Sequence, residues 1–196
     1  MRHIIKKILK EETQNIGSFI DTIENKYPEV SEFKDVLISF IEESDCQKIE
    51  FANFKYGALG MALHNGVLIN NSALNNSLPM LIFIILHEIA HQYQFKKYGA
   101  DEMYRCYSGE VTIDEAADFM RNTEIVADKY AALKLRQLMK SGYIDSSFVP
   151  PQMYKKVPVG QIKQMIEQFK HQFRMNNVNS SEEISSFMYN MIKREF

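Results

Sequence analysis

The residues best suited to chemistry in this sequence form the segment His87-Glu88-Ile89-Ala90-His91. Residues four apart lie on one face of an α-helix, so the two histidines can bind the same metal ion. Glu88 follows His87 and projects toward a water molecule on that ion, where its carboxylate can act as a general base. The apolar run before the motif predicts a buried helix, in which polar groups without partners would be costly. The segment therefore predicts a hydrolytic zinc (Zn²⁺) site.

A catalytic zinc ion needs a third protein ligand and leaves its fourth position to water. The longer pattern HExxHxxGxxH is absent, because Gln94 and Lys97 occupy the positions of its glycine and third histidine. A carboxylate is the natural candidate, and the sequence offers Glu110 or Glu124 within two similar patterns. Helical spacing favours Glu124, which lies with Asp128 on a stripe that must face the core, whereas Glu110 precedes the expected helix start. The stripe consists of Glu124, Ala127, Asp128, Ala131, Leu135 and Leu138.

The two helices together resemble those of a known family. The segment His87-Glu88-x-x-His91 followed by Glu124-x-x-Ala127-Asp128 resembles the gluzincin metallopeptidases, and the preceding hairpin is similar to compact ImmA/IrrE-type members, over residues 57–140. The resemblance implies a peptidase in which His87, His91 and Glu124 bind zinc and Glu88 is the general base. It implies that Asp128 orients a ligating histidine through its ring N–H, although ImmA/IrrE-type proteins more often have asparagine there.

The surrounding pattern predicts an α+β fold, a minimal zincin-like arrangement of a small sheet on the active-site helix. Alternating residues and the dipeptide Asn65-Gly66 predict a mostly antiparallel sheet within residues 47–71. Helices are expected at about 3–26, from Ser31 to about Glu43, from Pro79 to near Gly99, from Thr112 to about Ser141, and over 159–175 and 181–194. Residues 100–109 are expected to form a loop or a short irregular segment, and 145–158 an extended connection. We expect one metallopeptidase-like domain over residues 1–145, with 146–196 as a helical extension packed on it.

The net charge and the apolar segments of the sequence limit the classes of partner that the protein is expected to have. A formal charge of −2 argues against a broad nucleic-acid surface, and the apolar run Leu78–Leu86 is too short to span a membrane. Cys46 and Cys106 do not form a disulfide framework, and the segment Met1–Lys10 lacks the apolar stretch of an export signal. These features predict a cytoplasmic protein with reduced thiols.

The expected substrate is a protein or peptide, which the outer strand of the sheet can bind as an added strand. Either the strand of residues 59–63 or that of residues 67–70 is suited to this role, and the alternative is that both strands only pack the core. A donor for the oxyanion is also expected, and the sequence does not rank the four candidates, which are Tyr93, Tyr104, Tyr130 and His171. Two other functions stay open: an intracellular zinc-dependent processing factor with one protein target, and a non-catalytic zinc-binding protein. Glu88, which is not a ligand, argues against the latter.

Overall fold

The computed structural model describes residues 15–54, 58–64, 66–107 and 110–193. The first part of the predicted N-terminal helix and Asn65 of the predicted hairpin turn lie outside these ranges. Within them the fold is α+β, as predicted: six helices, here α1 to α6, surround a sheet of three short strands, β1 to β3.

Two helices precede the sheet. Helix α1 covers residues 15–26 of the described chain and ends before Pro28, and its buried face contains Ile16, Phe19, Ile20 and Ile23. Helix α2 spans Lys34–Glu43 rather than beginning at Ser31. Residues Pro28–Glu32 form a 3₁₀ helix instead, in which the Ser31 hydroxyl donates to the Pro28 carbonyl and so does not cap α2. The prediction for the start of this helix was therefore wrong by three residues.

The sheet consists of β1 (Ile49–Ala52), β2 (Gly60–Leu63) and β3 (Gly66–Asn70), in the spatial order β1-β3-β2. The predicted hairpin joins β2 to β3, which pair antiparallel with Leu63 opposite Gly66. Strand β3 is buried along its whole length, as expected for a strand with neighbours on both sides.

The sheet is mixed, which corrects the prediction that antiparallel pairing dominates. Strand β1 pairs with β3 in parallel, with Ile49 opposite Val67. Strands β1 and β2 lie on opposite sides of β3, and β3 is antiparallel to β2 but parallel to β1. An alternating pattern identifies a strand but carries no information about its neighbour, which explains the error.

Two long helices carry the predicted site residues. Helix α3 spans Leu78–Tyr104 with Pro79 in its first turn, and α4 spans Ile113–Lys140. Thr112 caps α4 through the predicted capping box with Glu115. Helix α3 bends at Gly99, whose φ of 81° and ψ of 161° are not helical. The helix resumes beyond this bend and is followed by a 3₁₀ turn at Arg105–Tyr107, so the predicted loop over residues 100–109 was wrong for its described part.

The C-terminal part packs back on these helices. After α4 the chain forms an irregular connection with a 3₁₀ turn at Tyr154–Lys156, then α5 (Val159–Met175) and α6 (Ser181–Lys193). Helix α5 contacts α4, and α6 contacts α3 and β2. The division of the chain at residue 145 stays a prediction. Among the helices of the described ranges, none combines the length and the apolar character needed to cross a membrane.

Candidate metal centre

The HExxH segment lies on the buried part of α3. Leu81 to Leu86 are all buried in the main core, and this apolar run continues directly into His87, Glu88 and His91. These three side chains are only 3%, 8% and 6% exposed. Because the helix is continuous here, the two histidines project from one face one turn apart, and their Nε2 atoms lie 3.3 Å from each other.

Helix α4 packs against α3 and brings Glu124 to the same point. The Glu124 Oε2 atom lies 3.0 Å from His87 Nε2 and 3.5 Å from His91 Nε2. Helical spacing explains the approach: Ala127 and Ala131 on the same stripe are fully buried and small, so the two helices can come close. His87, His91 and Glu124 thus form a cluster whose ligand atoms could hold a metal ion.

The other carboxylate considered as third ligand lies elsewhere. Glu110 is exposed and lines a cavity of about 840 Å³ between the end of α3 and helices α5 and α6. His87, His91 and Glu124 do not line this cavity. The tertiary structure therefore places Glu124, and not Glu110, beside the two histidines.

The second nitrogen of each histidine has its own partner. His87 Nδ1 lies 3.1 Å from Asp128 Oδ1, and His91 Nδ1 lies 2.8 Å from Gln94 Oε1. The Gln94 amide nitrogen donates to the Thr123 carbonyl at 2.9 Å, which fixes the amide so that its oxygen faces His91. Both Nδ1 atoms therefore donate, and both Nε2 atoms are directed to the shared point, the arrangement in which histidine binds a metal.

The charges of the cluster are strongly coupled. Burial by itself lowers the pKa of His87, but hydrogen bonds with Asp128 and Glu124 more than offset this and raise the pKa to about 10. Burial acts to raise the pKa of Glu124, while the charge of His91 and the hydrogen bonds from both histidines hold the pKa well below its usual range. The protein alone thus favours an ionised carboxylate and a bound proton, and a cation at this point would replace that proton.

Glu88 is held against the edge of the sheet. The backbone of Ala62 in β2 lies near enough to interact with its carboxylate, and a β-carbon at Gly60 would lie 2.5 Å from the Glu88 Cγ atom. Burial raises the pKa of Glu88, against the opposing charges of His87 and His91. The side chain is thus fixed beside the histidines, and its raised pKa suits a proton acceptor that must later release the proton.

A tyrosine from the C-terminal connection completes the cluster. The ring of Tyr154 stacks on the imidazole of His87, with centroids 5.6 Å apart and planes at 19°. The negative charge of Glu124, followed by burial and the charges of Glu88 and Asp128, raises the pKa of its hydroxyl.

The four residues considered as oxyanion donors lie in other surroundings. Tyr93 and Tyr130 pack against each other, the Tyr104 hydroxyl accepts a hydrogen bond from the His64 backbone, and His171 is exposed. The sequence pattern missed both Tyr154 and Gln94. Gln94 follows His91 by three residues on a helix, and this spacing was an available signal. Tyr154 lies in an irregular segment after two prolines, and no local pattern relates it to the motif.

The chain was also compared with known proteins. Models of protein families, curated proteins and solved structures yield no match to it.

Proposed function

We propose that this chain is a zinc-dependent metallopeptidase that uses Glu88 as its general base. The observation that carries the proposal is the convergence of His87, His91 and Glu124 beside a buried carboxylate that is not a ligand. A site that only stabilises the fold does not need such a group, whereas hydrolysis needs a base next to the metal.

The donor set fits a zinc ion. Two imidazoles and one carboxylate are typical ligands of a catalytic zinc, which keeps a position open for water or substrate. Metal–ligand bonds of about 2.1 Å in a tetrahedron separate neighbouring ligand atoms by about 3.4 Å. The three separations within the cluster are 3.0, 3.3 and 3.5 Å. A bound zinc ion would supply a water molecule of lowered pKa and an electrophile for a carbonyl oxygen.

The residues of the chain then have separate roles. His87, His91 and Glu124 hold the ion, while Asp128 and Gln94 keep the two imidazoles in the required tautomer and orientation. Glu88 accepts a proton from the attacking water and delivers it to the leaving amine of the cleaved peptide bond.

The position of β2 supports an extended peptide as substrate. Strand β3 is central and has a neighbour on each side, so residues 67–70 cannot bind an added strand. Strand β2 is an outer strand of the sheet. The Leu59 carbonyl accepts from the Asn70 N–H, so the backbone groups of Gly60 and Ala62 point away from β3. On this outer edge the backbone of Ala62 lies next to the Glu88 carboxylate. A peptide added to this edge would lie directly beside the proposed base.

The experiment combines metal analysis with cleavage. The purified chain should contain about one zinc ion, and it should cleave members of a peptide library made by digesting a proteome. Glu88→Gln should retain zinc and lose cleavage by about 10²–10⁴-fold, because a base is removed and the ligands remain. Glu110→Gln, at an exposed position, is the matched control and should behave as the unmodified chain.

The outcomes separate the alternative functions. Bound zinc with no cleavage of any peptide, but cleavage of one intact protein, would replace the general peptidase with a selective processing factor. Bound zinc with neither activity would favour a non-catalytic zinc-binding protein. Absence of a stoichiometric transition metal would refute the proposal.

A further inference from the structure

The connection between α4 and α5 contributes to the proposed metal centre. This connection begins after Lys140 and carries Tyr154, whose ring lies nearly parallel to the His87 imidazole at a centroid separation of 5.6 Å. An imidazole that is stacked on one face and bonded through Nδ1 cannot rotate about its side-chain bond without losing both interactions. The ring of Tyr154 therefore restrains the plane in which His87 Nε2 is presented.

The backbone of the same residue restrains Asp128. The Tyr154 N–H donates to Asp128 Oδ2 at 3.1 Å, while the other oxygen, Oδ1, faces His87 Nδ1 at 3.1 Å. Asp128 thus accepts hydrogen bonds from two elements, α3 and the connection, and both hold its carboxylate in place. The Tyr154 hydroxyl also lies near enough to the carboxylate of Glu124 to interact with it. One residue of an irregular segment therefore contacts two proposed ligands and the residue that orients one of them.

We propose that Tyr154 is a positioning residue of the metal centre: its ring fixes the plane of His87 and its hydroxyl orients Glu124. The catalytic consequence rests on the proposed peptidase function, whereas the effect on metal binding does not. In this arrangement the C-terminal part of the chain belongs to the site, because α5 packs on α4 and holds the far end of the connection. Residues that orient metal ligands commonly affect metal affinity by about 10–100-fold.

The test uses matched substitutions at two tyrosines in the full chain. Tyr154→Phe keeps the stacked ring and removes the hydroxyl, and Tyr154→Leu removes both. Tyr143 lies shortly after α4 and packs against Phe33 instead of the site, so Tyr143→Phe and Tyr143→Leu are the controls. Co²⁺ is the probe, because its visible absorption reports coordination geometry as well as occupancy. Circular dichroism of each metal-free variant shows whether it folds.

The positioning role predicts a graded response. Tyr154→Phe should bind Co²⁺ up to about tenfold more weakly, and Tyr154→Leu about 100-fold more weakly, with changed absorption bands. The Tyr143 variants should retain the affinity and spectrum of the unmodified chain. Should Tyr154→Leu fail to fold, a changed spectrum of Tyr154→Phe still supports the role. Unchanged affinity and spectrum in the folded Tyr154 variants would overturn it.

The same measurements separate this inference from the peptidase proposal. If the unmodified chain binds Co²⁺ but cleaves no peptide or protein, the peptidase proposal fails and the graded loss of affinity still supports the role of Tyr154. If the unmodified chain cleaves peptides and the Tyr154 variants bind metal normally, the positioning role fails alone. A chain that binds no metal overturns both.

Discussion

Strand β2 passes so close to Glu88 that a β-carbon at Gly60 would lie 2.5 Å from the Glu88 Cγ atom and 2.6 Å from its Oε1 atom. The three atoms nearest to such a β-carbon all belong to the proposed base. Together with the neighbouring backbone of Ala62, this contact couples the sheet edge to the position of Glu88. Gly60 therefore offers a way to move the base while the metal ligands stay in place.

Gly60→Ala is expected to lower peptide cleavage by about 100-fold, because a misplacement of about 1 Å at the reacting groups has that effect. Zinc stoichiometry should not change, since the three atoms nearest to the added methyl group all belong to Glu88, which is not a proposed ligand. Gly160→Ala is the control, because a β-carbon there meets nothing within 4 Å. Steady-state kinetics and metal analysis on both variants check this expectation. Full activity in Gly60→Ala would mean that the position of Glu88 does not matter for turnover.

Glu124→Gln should weaken zinc binding by at least about 100-fold, because it replaces an anionic ligand with a neutral amide. Glu110→Gln should leave the affinity unchanged, since Glu110 lies at the cavity bounded by α5 and α6. Competition with a chromophoric chelator measures both dissociation constants. The reverse pattern, with zinc lost only in Glu110→Gln, would show that the third ligand has been assigned to the wrong carboxylate.

Asp128→Asn should reduce zinc affinity or activity by about 10–100-fold. The two carboxylate oxygens of Asp128 accept from His87 Nδ1 and from the Tyr154 N–H. An asparagine has one acceptor oxygen, so its NH₂ group must face one of these donors and that hydrogen bond is lost. The same titration with zinc measures the effect. An affinity equal to that of the unmodified chain would show that the orientation of His87 does not depend on Asp128.

Zinc affinity should increase with pH. In the protein alone, the pKa of His87 is raised from 6.5 to about 10, so this imidazole carries a proton at neutral pH that zinc must displace. Each displaced proton gives about a tenfold gain in affinity per pH unit below that pKa. Calorimetric titrations in buffers of different ionisation enthalpy measure the proton release directly. A constant affinity between about pH 6.5 and 8.5 would contradict the expectation.

The stability of the metal-free protein should decrease as the pH rises, whereas zinc affinity increases. A raised pKa means that protonated His87 stabilises the folded state fully below pH 6.5, and this contribution is lost as the pH rises toward 10. The zinc-induced increase in melting temperature should therefore grow over the same interval. Thermal unfolding followed by circular dichroism, with and without zinc, provides the measurement. A zinc-induced increase that stays constant or shrinks as the pH rises would refute this prediction.

The sequence by itself determined the local features of this protein. The spacing of His87 and His91, the core stripe through Ala127 and Ala131, and the capping box at Thr112 all depend on helical periodicity or on contacts within four residues. Such patterns can be recognised without knowledge of the fold. They also separated Glu124 from Glu110, because burial of a helical face is encoded in its own residues.

The tertiary structure decided what depends on neighbours distant in the chain. The parallel pairing of β1 with β3 places β1 and β2 on opposite sides of β3, an order that a periodicity of two does not encode. The approach of Gly60 to Glu88 depends on the packing of α3 against β2. The stack of Tyr154 on His87 joins residues separated by a whole helix and an irregular connection. Such contacts arise from tertiary packing, and the local spacing of residues in the sequence does not encode them.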